Sequence, residues 1–333
     1  MEIIFHIGMG KTGTSSIQKA LAENKENLLE QGVDYLGMFF DLINPVLRDN
    51  YLQREFFASS TDKNFELAGQ FIETLKNRQR TNGASRFLLS NESLLQQHRT
   101  IAPFFEYLSR QVCVRLIIYA RDPRDWLPSA YNQWFVYHKT SIGPIPPFAK
   151  GGRQLLSMYE DLNTWQKILG AITTIRPFTK STDVVADLAK ILAVEMPVAT
   201  QRVQERVEKS ESFLRAIYNN RFPEMVLPER FDRAFQKIDL NKSPALAEVL
   251  RENFKYDETD AVVAEQASLF AEIKERTGVD LLDGPSPLQE TPDLEAIRQR
   301  IMEHVLYIVM QQADRIAKLE GTVRKLQDEL GGG

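Results

Sequence analysis

Apolar positions fall in short strand-sized runs that alternate with helical repeats along most of the chain. Ile3-Ile4-Phe5-His6-Ile7 is such a run, and it stops at Gly8. From about 13 to 31, Ile17, Leu21 and Leu28 share one face of a predicted amphipathic helix. Val33-Asp34-Tyr35-Leu36 reads as a second, short strand. Residues 41–82 predict helix, with charged residues between Phe56, Phe57, Leu67, Phe71 and Leu75. Arg86–Ser90, Val112–Ala120 and Ile172–Phe178 predict three further strands. Strands that alternate with helices predict a mostly parallel sheet covered on both faces, because each parallel crossover needs a helix's length of chain. Residues 139–153, with Ile142-Gly143-Pro144-Ile145-Pro146-Pro147 and Gly151-Gly152, predict a long loop beside the fourth strand's helix, either substrate-facing or a solvated connector.

From about 184 the pattern is helical, and after a Pro-rich linker at 285–293 its period changes. Apolar residues recur at Leu294, Ile297, Ile301, Val305 and Ile308, then at Ile316, Leu319, Val323, Leu326 and Leu330. The last five alternate in steps of three and four with charged residues between them, the mark of a coiled-coil seam; Gln312 interrupts it. The organisation expected is one α/β domain over 1–284, a linker over 285–293, and a coiled-coil-like helix over 294–330 that makes the protein a homo-oligomer.

The 333 residues supply core for one large α/β domain with appendages. A net charge of −4 lacks the basic field of a nucleic-acid binder. The single cysteine, Cys113, lies in a strand-like run; no disulfide can form within one chain, and a reducing compartment is favoured. No charged-then-apolar leader precedes the first strand, and no uncharged apolar run reaches about 18 residues. A cytoplasmic protein without a transmembrane segment is expected. Four scattered histidines and one cysteine show no metal-ligand spacing.

The chemistry concentrates after the first strand, in Gly8-Met9-Gly10-Lys11-Thr12-Gly13-Thr14-Ser15-Ser16. Glycines, a lysine and four hydroxyl side chains at a helix start make an anion cradle of backbone N–H groups, a positive dipole end, a cation and O–H donors. Gly8-x-Gly10-x-x-Gly13 matches the dinucleotide fingerprint, with Asp34 near the place of a ribose-binding acid. That use needs neither the lysine nor the hydroxyls. Gly10-Lys11-Thr12 supplies the second half of a Walker loop, but Phe5 stands where its first glycine belongs, and the fourth strand ends in Arg121 rather than an acidic magnesium ligand. A P-loop kinase or other nucleotide-binding enzyme is therefore the alternative reading.

Lys11-Thr12-Gly13-Thr14-Ser15, taken with Arg121 at a strand end and Ser129 eight residues on, resembles the sulfotransferases that use 3′-phosphoadenosine 5′-phosphosulfate (PAPS). In that family a Lys-[Ser/Thr]-Gly-Thr-[Thr/Ser] loop holds the 5′-phosphosulfate, and an Arg and a Ser at this spacing hold the 3′-phosphate. His6-Ile7-Gly8-Met9, Ser129-x-Tyr131-Asn132-Gln133-Trp134, and the Leu155–Trp165 helix before Ile175-Arg176-Pro177-Phe178 are similar to bacterial members thought to act on carbohydrates. The likeness spans about residues 1–280. It implies an α/β, three-layer fold of P-loop type, PAPS as donor, PAP as product, a hydroxyl acceptor with a saccharide as the leading class (a lipid or small alcohol the alternative), and no metal. The Arg-Lys-Gly loop of many eukaryotic members is absent from this chain.

On that likeness, Lys11 meets the charge developing on the leaving phosphate, and Gly13 lets the backbone approach the 5′-phosphate. Thr12, Thr14, Ser15 and Ser16 supply N–H and O–H donors, and Arg121 and Ser129 clamp the 3′-phosphate. Glu92, just after the third strand, is the candidate general base, or else a carboxylate complementing a helix start; His98 and His138 are the other candidates. Arg124 shares the Arg121 role or is a solvated charge. Phe178 is a candidate for stacking on adenine. Trp126, Trp134 and Tyr137 are expected to be exposed aromatics suited to a sugar.

Overall fold

A computed structural model describes residues 1–179, 181–197, 209–234, 252–254, 256–284 and 293–331. The chain divides into two compact units. One comprises Met1–Ala130, Arg153–Glu205 and Thr259–Pro287; the other comprises Tyr131–Gly152, Arg206–Glu258 and Leu288–Gly333.

Along the first unit run β1 (Glu2–His6), α1 (Thr14–Glu23), α2 (Lys25–Glu30), β2 (Val33–Gly37), α3 (Asn50–Ser59), α4 (Thr61–Asn82), β3 (Arg86–Ser90), α5 (His98–Gln111), β4 (Cys113–Arg121) and α6 (Pro123–Tyr131). After α7 (Phe148–Leu155) come α8 (Ser157–Leu169), β5 (Thr173–Phe178) and α9 (Val184–Leu192). The five strands form one all-parallel sheet in the order β2-β3-β1-β4-β5.

Strand alternation assigns the two faces. Ile4, Leu88, Ile117 and Tyr119 point to one side, where Ile17 and Leu21 of α1, Leu28 of α2, and Val184, Leu188 and Leu192 of α9 cover them. Phe5 points to the other side, into Phe40, Phe71, Phe104 and Phe105 at ring-centroid distances of 4.8–6.5 Å. Trp165 of α8 closes that cluster against Phe105, its indole N–H donating to the Leu95 carbonyl at 2.8 Å. The chain thus leaves β1 toward one face and β3 toward the other. A doubly wound sheet opens its ligand crevice at such a switch point, along the carboxyl edge.

The strands lie within a residue or two of their predicted positions; the helices differ more. The helix predicted over 13–31 is interrupted at Asn24, whose side chain donates to the Ala20 carbonyl at 2.9 Å. The stretch 41–82 is a loop with a short turn at Pro45–Leu47, then two helices. Asp49 caps α3 by accepting from the Leu52 N–H (2.8 Å), and Ser60 caps α4 by accepting from the Lys63 N–H (3.2 Å). The predicted loop 139–153 is already helical from Phe148, which anchors α7 by stacking edge-on against Tyr131 and Tyr256. Cys113 is exposed and opens β4, at the opposite end of that strand from Arg121.

Asp34 has a structural partner that excludes the ribose-binding reading. It is buried in β2 and accepts from Arg78 Nε (2.7 Å) and Nη2 (3.0 Å) and from Asn82 Nδ2 (2.8 Å), fastening α4 to the sheet.

The second unit holds α10 (Lys209–Asn219), α11 (Pro228–Ala234) and, after α12 (Thr259–Ala264) and α13 (Ala267–Thr277) of the first unit, the 38-residue α14 (Leu294–Gly331). Within it α10 packs against the π-helical turn Asn132–Tyr137 and against α14. The linker prolines lie outside the described residues, as do the side chains of Leu326 and Leu330. Among the described residues no helix is long and apolar enough to cross a membrane.

Phe104 touches five other phenylalanines of the sheet's second face. Phe104→Ala is expected to lower stability by about 3–5 kcal/mol, read as an earlier urea midpoint with an unchanged slope.

Candidate functional site

Beyond His6 the chain leaves β1 but not the ladder. Ile7 N–H donates to Ile117 O (3.0 Å), Met9 N–H to Tyr119 O (3.1 Å), and Tyr119 N–H to Gly8 O (3.0 Å). The first loop therefore climbs along β4 and starts its turn two residues short of Arg121. Two glycines make the turn possible. Gly8 has φ +116°, and a Cβ there would stand 3.1 Å from the Glu92 carbonyl oxygen. Gly13, at φ +83°, is the N-cap of α1, and a Cβ there would lie 2.7 Å from Val184 Cγ2. Lys11 also has positive φ, 66°, at the crown of the loop.

The four hydroxyls divide into two pairs. Thr12 and Thr14 are buried and donate to the Met9 carbonyl, Thr14 at 3.3 Å, so they hold the loop in shape from within. Ser15 and Ser16 are half-buried in the first turn of α1. No side chain caps α1, so the cluster is not a helix cap.

Arg121 ends β4, paired in register with Phe178 at the end of β5. Its guanidinium lies 5.7 Å from the centre of the Phe178 ring, and that ring's edge is 3.6 Å from where a Gly13 Cβ would be. Phe178 thus lies near both Gly13 and Arg121. A second tie runs from α6: the Trp126 indole N–H donates to the Gly10 carbonyl at 2.9 Å. Arg121 is 7% exposed and bound to Asp125 one helical turn on, through Nε at 2.7 Å and through Nη2. Tyr159 steadies the strand end by donating to the Arg121 carbonyl (2.6 Å). Ser129 lies one turn beyond Asp125 in α6, so these two residues share a face of that helix.

Glu92 comes to the same edge. Gln18, in the second turn of α1, donates from Nε2 to Glu92 Oε2 (2.8 Å) and to the Ser90 carbonyl (3.2 Å). Tyr35 feels this carboxylate; burial first, and the Glu92 charge second, push its hydroxyl up to about 12. His6 lies beneath the loop, fully buried, its Nδ1 2.8 Å from Ser90 Oγ, and burial pushes its imidazole down to about 4.

Other predicted residues have different surroundings. His98 is buried near Asp161 of α8, Nδ1 to Oδ1 3.3 Å, without hydrogen-bond alignment. Burial lowers the His98 pKa and raises that of Asp161 to about 6, so both are drawn toward their neutral forms. His138 belongs to the second unit, edge-on to Tyr137. Arg124 is not a solvated charge: it grips Asp122 through Nε and Nη2 (2.7–3.1 Å) and donates to Leu282 O. Trp126 is fully buried rather than exposed, because its indole is consumed by Gly10 and Tyr159. Trp134 and Tyr137 are half-buried in the second unit, where Tyr137 stacks under Arg215 at 4.6 Å.

Sequence reasoning missed Gln18, to which nothing local pointed; the sequence did offer Asp125, beside Asp122, as an ion-pair partner for Arg121, and Asp125 is the one that pairs. Among the described residues no three His, Cys, Asp or Glu side chains group as metal ligands. Neither the protein-family models nor the curated proteins contain a match to this chain.

His6 carries a pH prediction. Its folded pKa lies below its unfolded one, so the unfolded chain binds the extra proton and stability is lost as pH falls from about 6.5 toward 4. Complete loss amounts to roughly 3 kcal/mol. His6→Gln should remove that slope while leaving any contribution of His98 and Asp161 in both proteins. Urea unfolding of the pair at pH 7.5, 5.5 and 4.5 would check it, and parallel pH dependences would refute it.

Proposed function

We propose that this chain is a sulfotransferase of P-loop type that moves the sulfuryl group from PAPS to a hydroxyl of an acceptor, a carbohydrate being the leading class. The observation that carries the reading is that Phe178 lies beside both Gly13 and the Arg121 guanidinium, reinforced by the Trp126–Gly10 hydrogen bond. In this reading Lys11 and Gly13 take the 5′-phosphosulfate and Arg121 the 3′-phosphate of the same ribose, with Phe178 beside both for the adenine.

The residues fit such a donor. The glycines at 8 and 13 let the loop pack closely on Glu92 and Val184, and the dipole of α1 favours an anion at its N-terminus. Arg121 and Ser129 are suited to the 3′-phosphate, and Phe178 to the adenine. Binding exchanges the Asp125 carboxylate on Arg121 for a phosphate of higher charge.

When bound, this donor supplies a phosphosulfate anhydride whose bridging S–O bond breaks as the acceptor oxygen bonds to sulfur. Lys11 and the α1 N-terminus stabilise the charge left on the 5′-phosphate. Glu92, oriented by Gln18, takes the acceptor's proton. Thr12 and Thr14 keep the loop preorganised, so little rearrangement accompanies the step.

Two measurements test this. At a hundred times its Kd, 3′,5′-adenosine bisphosphate should stabilise the protein by about 2.7 kcal/mol with or without magnesium, while ATP and NAD should not. Stabilisation by magnesium–ATP alone would favour a kinase instead. With labelled PAPS and a panel of saccharides, Lys11→Ala should lower transfer about 10²–10³-fold with the fold retained. Unchanged transfer would remove Lys11 from the mechanism.

A further inference from the structure

Helix α14 carries two apolar stripes, and only one of them is covered. Ile297 is buried, and Ile301, His304 and Ile308 follow it at steps of four, three and four, all half-buried, on the helix that packs against α10 in the second unit. The other stripe is Met302, Val305, Val309, Ile316, Leu319 and Val323, each 40–65% exposed. With half-buried Gln312 it steps by three and four without a break over three heptads, roughly 32 Å of helix. Among the large apolar residues exposed on the described part of α14, only Tyr307 stands off this line. This stripe includes Ile316, Leu319 and Val323 of the seam expected from sequence and extends it back to Met302, whereas Ile297, Ile301 and Ile308 belong to the covered stripe.

We propose that two copies of this chain join through a parallel, in-register two-stranded coiled coil along Met302–Val323 of α14. The period is the first reason. A seven-residue repeat sustained over three heptads stays in contact only with a partner helix that supercoils with it, and the covered stripe runs only about half that length. The identity of the seam residues is the second. Val309, Ile316 and Val323 place β-branched side chains at three of the four a positions, and Leu319 stands at the d position between the last two, the combination that favours two parallel strands.

Charge complementarity chooses the partner and its direction. Arg315 at g and Glu320 at the following e flank the seam, both exposed. Across a parallel in-register pair each g faces the next e of the other helix, so Arg315 of each copy meets Glu320 of the other, twice by symmetry. An antiparallel pair sets g against g and e against e and forms neither bond. Gln312, the one polar seam residue, opposes its own copy only in this register. The described residues beyond Gln312 are exposed, and Gly321 lowers helix propensity there, so this stretch depends on a partner for its stability. This inference stands apart from the proposed sulfotransferase activity.

The full-length chain at about 20 µM, measured by light scattering or sedimentation, should show twice the 38.2 kDa of one copy. Ile316→Lys with Leu319→Lys should return it to a single copy with its main unfolding transition retained. Arg315→Glu should weaken association about tenfold, and adding Glu320→Arg should restore it. In a Cys113→Ser background, Ile316→Cys should cross-link into a covalent dimer on mild oxidation. A monomeric or trimeric native chain, or a dimer indifferent to the lysine pair, would overturn the proposal. A dimer that gives no cross-link would overturn its parallel register.

Discussion

The candidate site depends on one continuation of backbone pairing. The chain beyond β1 remains hydrogen-bonded to β4 through Met9, then turns on glycines that cannot bear a side chain without striking Glu92 or Val184. Everything else at this edge is positioned by that path. Lys11 sits at its crown, α1 begins where it ends, and Arg121 waits two residues beyond its last ladder bond. Because β1 is central in the sheet, strands on both sides hold the path, and local rearrangement would break parallel pairing on either side.

Electrostatics at the edge follow from burial. A guanidinium as enclosed as Arg121 needs a counter-charge, and Asp125 supplies it from the next helical turn. Arg124 is occupied in the same way by Asp122, so the two arginines of one short motif have separate tasks. Trp126 from that motif reaches back to Gly10, which ties the end of β4 to the loop after β1 in a single hydrogen bond.

The long C-terminal helix obeys a different rule. Its inner stripe satisfies its own unit, while its outer stripe repeats every seven residues and is left to solvent. Apolar surface of that regularity is organised for another helix rather than for water.

The elements were largely legible because strand and helix periodicities are local properties. All five strands, the glycine-rich cradle and the arginine at the tip of β4 follow from residues within a few positions of one another. The caps at Asp49 and Ser60 were equally local, though a long helical pattern concealed them. Partners remote in sequence were not legible. Asp34 bonds to α4, Glu92 is held by Gln18, and Trp126 is buried against Gly10, across 44, 74 and 116 positions of chain. Nor does an apolar repeat reveal which of its faces the fold will cover, since α10 decides that on α14. Sequence alone determined which segments become strand and which side chains the first loop presents, because short-range sterics and periodicity suffice for the one and local composition for the other. Only the tertiary structure decided which charges are already paired, which aromatics are already buried and which stripe stays open, because those depend on how closely distant segments approach.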